Sequence, residues 1–150
     1  MNRIQLAILI SGRGSNMESL IHACAAENFP AQVAVVISNR PDAPGLIKAA
    51  AAGVATEVID HKQFPDQASF EIALQKALEP YQVDLVCLAG FMKILSADFI
   101  RHWPERIINI HPSLLPDYKG LHTHERVLAD HRTETGCSVH YVIPEMDAGP

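Results

Sequence analysis

The chain has 150 residues, 48% of them apolar and 19% charged, with a formal net charge of −5. This is the composition of an ordinary globular domain and excludes an intrinsically disordered chain. The negative balance is against a nucleic-acid partner, which needs a basic face, and no apolar run is long enough to span a membrane.

Met1-Asn2-Arg3 leads directly into an apolar run, Ile4 to Ile10, broken only by Gln5 and ended by Ser11-Gly12-Arg13-Gly14-Ser15-Asn16. It predicts a buried strand and a turn, with no secretory signal before them. A helix is expected from about Asn16 to Glu27, with Met17, Leu20, Ile21 and Cys24 on one stripe. Gln32 to Ser38 predicts a second strand, and an alanine-rich helix then runs to Ala52 with Gly53 at its end. Val54 to Ile59 predicts a short third strand. Gln67 to Glu79 predicts a helix, with Phe70, Leu74, Ala77 and Leu78 on one face and Pro80 just beyond. Val83 to Ala89 is the fourth strand, ended by Gly90, and Ser96 can cap a short helix through His102. Arg106 to His111 predicts a buried strand stopped by Pro112. A helix is expected over His122 to Asp130 and a last strand over Cys137 to Ile143. Strands alternate with helices, so the class is α/β with a mostly parallel sheet and one domain over 1–150.

Two features carry chemistry by their position. Asn109 and His111 are two residues apart on a strand, so their side chains leave on one face. At the carboxyl end of a buried strand, where open α/β sheets bind ligands, an amide and an imidazole are costly without partners or work. The glycine turn at 12–16 lies between a strand and a helix. There backbone N–H groups and the positive helix end suit an anion. It is not a dinucleotide fingerprint: Met17 stands where a further glycine is needed, and Ser38-Asn39 replaces the acidic residue that holds a ribose.

Other residues have plainer readings. Phe91, Met92, Ile94 and Leu95 could line a slot for a flat ring, or simply bury the entry to the next helix. His122, His124 and His131 have no zinc spacing, and no metal is expected. His140 reads as a hydrogen-bonded structural histidine, and Asp147 as a turn aspartate unless its loop folds back to His111. Cys24, Cys87 and Cys137 are odd in number and far apart. They are expected as reduced, mostly buried thiols of a cytoplasmic protein.

Taken together, Ser11-Gly-Arg-Gly-Ser-Asn16, Leu88-Ala-Gly-Phe-Met-Lys-Ile-Leu-Ser96, Asn109-Ile-His-Pro-Ser-Leu-Leu-Pro116, Gly120-Leu-His-Thr-His124 and Met146-Asp-Ala-Gly-Pro150 resemble the folate-dependent formyltransferase family. Within that family they resemble the phosphoribosylglycinamide formyltransferases. The resemblance runs along almost the whole chain. It implies a doubly wound, Rossmann-like sheet with helices on both faces, and formyl transfer from 10-formyltetrahydrofolate to the amine of glycinamide ribonucleotide in purine synthesis. It implies Asn109, His111 and Asp147 as catalytic residues and Gly14, Ser15 and Asn16 as the substrate-phosphate loop. It implies Met92, Lys93, Ile94 and Leu95, together with Asn109, as the folate-contacting residues. Such a reaction needs no metal and no covalent enzyme intermediate. The asparagine suits an oxyanion, the histidine can move protons, and the aspartate would orient the imidazole and favour its charged form.

Two arginines common in relatives are replaced here by Gln67 and Lys93. The family's pattern continues past Pro150, so the C-terminal part is expected to be missing. Small molecules are the expected partners, and oligomeric state is left open. Competing expectations are formyltetrahydrofolate deformylase, methionyl-tRNA formyltransferase, which needs a basic surface, and a non-catalytic nucleotide-phosphate binding module.

Overall fold

The computed structural model describes residues 2–111, 115–135 and 137–150, so the expected stop at Pro112, with Ser113 and Leu114, lies outside the described residues. The chain divides into two compact units, Met1–Lys93 and Ile94–Pro150.

The first unit contains β1 (Ile4–Ile10), α1 (Ser15–Cys24), β2 (Ala31–Ser38), α2 (Pro44–Ala51), β3 (Thr56–Val58), α3 (Gln67–Leu78) and β4 (Leu85–Leu88). Its strands are all parallel, in the order β3-β2-β1-β4. Ala7 to Ile10 have no exposed surface, as expected of a strand covered on both faces. The chain steps outward from β1 to β2 and β3, then returns to β4 on the other side of β1. Right-handed crossovers then place α1 and α2 on one face and α3 on the other. This is the doubly wound α/β class anticipated above. Met17 and Cys24 of α1, Ala49 of α2, and Phe70, Leu74 and Leu78 of α3 bury the sheet. The α3 residues recur at four-residue intervals, one face of a helix.

Element ends differ from the sequence expectations for identifiable reasons. The first helix stops at Cys24 rather than Glu27. The Arg3 guanidinium donates to the carbonyls of Cys24 (3.2 Å), Ala26 (3.2 Å) and Glu27 (2.7 Å), supplying partners for groups a helix end leaves open. The third strand is shorter than 54–59 because the Val54 N–H is spent on the Ala49 carbonyl (3.0 Å) beside Gly53 at φ 79°, closing α2. Asp66 caps α3, accepting the Ser69 N–H at 2.8 Å, and Pro80 sits in a 3-10 turn over Glu79–Tyr81.

The second unit contains α4 (Ala97–Arg101), β5 (Ile107–His111), α5 (Thr123–Ala129) and β6 (Ser138–Tyr141). Ser96 caps α4 by accepting the Phe99 N–H at 3.2 Å, as its position predicted. β5 and β6 are antiparallel, with Asn109 opposite His140 and His111 opposite Ser138. β5 is less buried than a continuous apolar run suggests: only Ile107 and His111 are fully covered. Cys24 and Cys87 are buried and Cys137, just before β6, is exposed, so the free thiols are mostly buried as expected.

Candidate active site

In the first unit, a candidate anion site lies where the strand order reverses. β1 and β4 are parallel neighbours, and the carboxyl ends of strands at such a reversal are where open α/β sheets take ligands. The loop after β1 and the segment after β4 both emerge there. Gly14 is the residue before α1 and has φ 75°, ψ 34°, with no side chain capping the helix. A glycine takes that conformation freely, whereas other residues are strained in it. Space points the same way: a Cβ on Gly14 would lie 2.9 Å from Met17 Cε and 3.2 Å from Gly45 Cα. The Gly45 N–H also donates to the Gly12 carbonyl at 3.0 Å, fixing the loop against the start of α2. The first-turn N–H groups at Ser15 and Asn16 therefore stand at an uncapped helix start, the arrangement that receives anions.

Ser11 joins the loop to its neighbours. Its hydroxyl donates to Asn39 Oδ1 at 2.5 Å and accepts the Met92 N–H at 2.8 Å. Asn39 is buried at the end of β2 and lies 3.3 Å from His61 Nδ1 through its amide nitrogen. The asparagine in place of a ribose-binding acid is thus part of a structural network. Met92 is 65% exposed, and Lys93 Nζ lies 5.8 Å from the Phe70 ring centroid. Gln67 donates to Glu71 Oε2 at 2.9 Å. Of the other two residues expected to meet a flat ring, Ile94 is 71% exposed while Leu95 is in the core at 5%.

The second unit holds the candidate chemical groups. Because Asn109 and His140 are paired across β5 and β6, their side chains share a face. Asn109 Nδ2 lies 3.4 Å from His140 Nε2. His140 Nδ1 lies 3.1 Å from the Tyr141 carbonyl. A carbonyl can only accept, so Nδ1 carries the proton and Nε2 accepts from the asparagine. His111, two residues along from Asn109, donates from Nε2 to the Tyr118 carbonyl at 2.7 Å. Its Nδ1 faces Asp147 Oδ1 at 3.5 Å, with the two side chains 6% and 8% exposed.

The loop after β6 therefore folds back onto β5. It does so through backbone closeness: Tyr141 donates to the Pro150 carbonyl at 2.7 Å, and a Cβ on Gly149 would fall 1.6 Å from the Tyr141 carbonyl oxygen. Asp147 itself has φ 55°, a conformation that aspartate tolerates better than most residues. Its Oδ2 accepts the Gly120 N–H at 2.9 Å, and its Oδ1 is also 4.0 Å from His140 Nε2. Asn109, His111 and Asp147 are thus brought together within this unit, and His140 joins them. Sequence reasoning kept His140 as a structural histidine. It is hydrogen-bonded, but to a residue of the cluster. Its alternation with Val139 and Tyr141 could have placed it on the strand face, but not opposite Asn109.

Chemically, the cluster offers an amide donor, an imidazole and a buried carboxylate. One Asn109 N–H goes to His140, and the other can serve an incoming oxygen. The exposed His122 pairs with Glu125 at 3.2 Å. Among the described residues, no group of three His, Cys, Asp or Glu is arranged to hold a metal ion. No described helix is long and apolar enough to cross a membrane.

Comparison with known proteins gives a consistent picture. The family model described as Formyl transferase matches residues 4–150. The Trifunctional purine biosynthetic protein adenosine-3 of Gallus gallus is 47% identical over 148 residues, covering 99% of this chain. Phosphoribosylglycinamide formyltransferase of Escherichia coli is 44% identical over 147 residues, covering 98% of this chain. The chain spans 15% of the length of the first and 69% of the second. The crystal structure of phosphoribosylglycinamide formyltransferase from Brucella melitensis superposes with a TM-score of 0.95 at 48% identity, covering 99% of this chain and 77% of that one.

Proposed function

The chain belongs to the formyl transferase family, and on that premise we propose that it passes a formyl group from 10-formyltetrahydrofolate to the amine of glycinamide ribonucleotide. We take residues 1–150 as one formyltransferase domain, since a single family match runs across both units. The free cysteines suit a reducing cytoplasm. The substrates are small molecules, and the names of the relatives support a place in purine synthesis.

The observation that carries the reading is the His111–Asp147 pair lying beside Asn109 on one strand face. The substrate amine attacks the formyl carbon, and the carbonyl oxygen becomes an oxyanion. The N–H of Asn109 not spent on His140 donates to that oxygen. His111 Nε2 is bound to the Tyr118 carbonyl and Nδ1 faces the Asp147 carboxylate at 3.5 Å. The imidazole relays the proton of the attacking amine, and the carboxylate pairs with the charged ring while it does so. The proton then passes to the departing folate nitrogen, and the bond to the formyl carbon breaks there. Gly14, Ser15 and Asn16 hold the substrate phosphate through main-chain N–H groups and two side-chain donors. Met92, Lys93, Ile94, Leu95 and Asn109 meet the formyl donor; Leu95 does so only by shaping the segment, since it is buried.

The test is turnover by the purified protein. Formyl transfer that requires glycinamide ribonucleotide is expected. Formate release without it would indicate a deformylase, transfer only to an aminoacyl-tRNA would indicate the tRNA enzyme, and phosphate binding without turnover would indicate a binding module.

A further inference from the structure

Tyr118 has φ 55°, a left-handed conformation that an aromatic residue adopts only at a cost. A glycine would make the same connection without strain. What holds the tyrosine there is its ring. The guanidinium carbons of Arg126 and Arg132 each lie 5.5 Å from the ring centroid, within cation–π range. The phenol donates to Asp130 Oδ2 at 2.8 Å. These three residues belong to α5 and the turn that closes it, where Arg132 N–H donates to the Val127 carbonyl at 3.2 Å. The cations are tied in turn: Arg132 pairs with Asp117 at 3.6 Å, and Arg126 donates to the Lys119 carbonyl. The product of this clamp is the placement of one atom, the Tyr118 carbonyl oxygen, 2.7 Å from His111 Nε2.

We propose that Tyr118, gripped by Arg126, Arg132 and Asp130, is a positioning residue that holds the His111 ring through a proton on Nε2 and so keeps Nδ1 turned to the Asp147 carboxylate. A carbonyl oxygen cannot donate, so this contact requires an Nε2–H whatever Nδ1 carries. A small misplacement of the imidazole would weaken it as an acid–base group. The clamp deepens the formyl-transfer reading and rests on it for the word catalysis, but the Nε2 proton is observable without turnover.

The experiment uses the whole purified protein labelled with 15N-histidine, with Tyr118→Gly and Tyr118→Phe as variants. Glycine adopts φ 55° freely, so Tyr118→Gly removes the ring while relieving backbone strain. The His111 ring of the wild type is expected to show a protonated, hydrogen-bonded Nε2. Tyr118→Gly should show a partly deprotonated Nε2, with kcat lowered on the order of 10- to 100-fold and both KM values kept. Tyr118→Phe keeps the ring under the guanidinium groups and should restore most of both readouts. A wild-type Nε2 signal in Tyr118→Gly overturns the proposal whatever the rate. So does a Tyr118→Phe variant as impaired as the glycine one, because the clamp is claimed to act through the ring. If the wild type transfers no formyl group, the proposed function fails, and the ring signal alone decides this inference.

Discussion

The proposed anion loop of the first unit relies mainly on main chain, whereas the cluster of the second unit is made of side chains. At Gly14 the donors are backbone N–H groups, aimed by a positive φ and by contact with Gly45. At Asp147 the proposed working groups are a carboxylate, two imidazoles and an amide, assembled from two strands and a returning loop. The difference teaches which part of a site local sequence can specify. A glycine turn between a strand and a helix announces itself within six residues, even though its packing also draws on Gly45. A carboxylate meeting a histidine 36 positions earlier depends on the antiparallel register of β5 with β6 and on the close return of the chain at Gly149.

That division predicts where variants act. Losses at the Asn109–His111–Asp147 cluster should fall on kcat and losses at the loop on the KM for glycinamide ribonucleotide. The largest effect is expected for Asp147→Asn, which keeps the shape and removes the charge that receives a protonated His111. The rate should fall by roughly 10²–10⁴, the range for a positioned acid–base group, in a variant that melts like the wild type. Steady-state kinetics with thermal melting check this, and an undiminished kcat would return Asp147 to a turn residue.

Asn109→Ala removes one oxyanion donor and should cost on the order of 10²–10³ in kcat. Its double variant with His111→Ala should be much less than multiplicatively worse if the two act as a unit. Independent losses would break the comparison by showing that the strand face is not one device.

Gly14→Val should act on the other axis. A branched side chain at φ 75° collides with Met17 and Gly45 and pulls the donors from the phosphate. The KM for glycinamide ribonucleotide should rise roughly 10- to 100-fold, the worth of a hydrogen bond or two to a charged group, while kcat changes less. A kcat loss with constant KM would contradict the loop's assignment to binding.

Thiol labelling sharpens the contrast without touching the site. Burial pushes the Cys87 thiol up to about 12, with the nearby Cys24 adding to the rise. Burial also raises Cys24, against the pull of Arg3. Native protein at pH 8 should therefore react rapidly at the exposed Cys137 alone, and at all three cysteines only after unfolding.

The smallest effect is expected at Asp66. Its hydrogen bond to Ser69 holds the carboxyl below its usual value of 3.8. A depressed folded value adds stability above the ordinary value and loses it as pH falls through the lowered one. Asp66→Ala should lower Tm by roughly 2–4 °C at neutral pH, and the gap should close in acid. A gap that widens in acid would be the wrong sign for a cap.

Much of the fold was legible because its signals are local. The apolar run Ile4–Ile10, the stripe Phe70-Leu74-Leu78 and the cap at Ser96 all appear where their patterns place them. Helix and strand ends were less so, because Arg3 and Val54 act on helix ends through tertiary contacts or shared donors. In the candidate site, Asn109 and His111 share a face by strand periodicity alone. Asp147 was joined to them only by family resemblance. The partnership of His140 with Asn109, and of Tyr118 with His111, requires a register and a left-handed residue that no local pattern announces.

The account's central claim is that the second unit does chemistry while the anion loop does the holding. Calorimetric binding of glycinamide ribonucleotide to Asp147→Asn, set beside its kcat, tests this most directly. The account predicts a wild-type Kd in a variant whose turnover has fallen by roughly 10²–10⁴. A Kd weakened by the same factor as the rate would contradict it, since Asp147 would then serve binding and not the reaction.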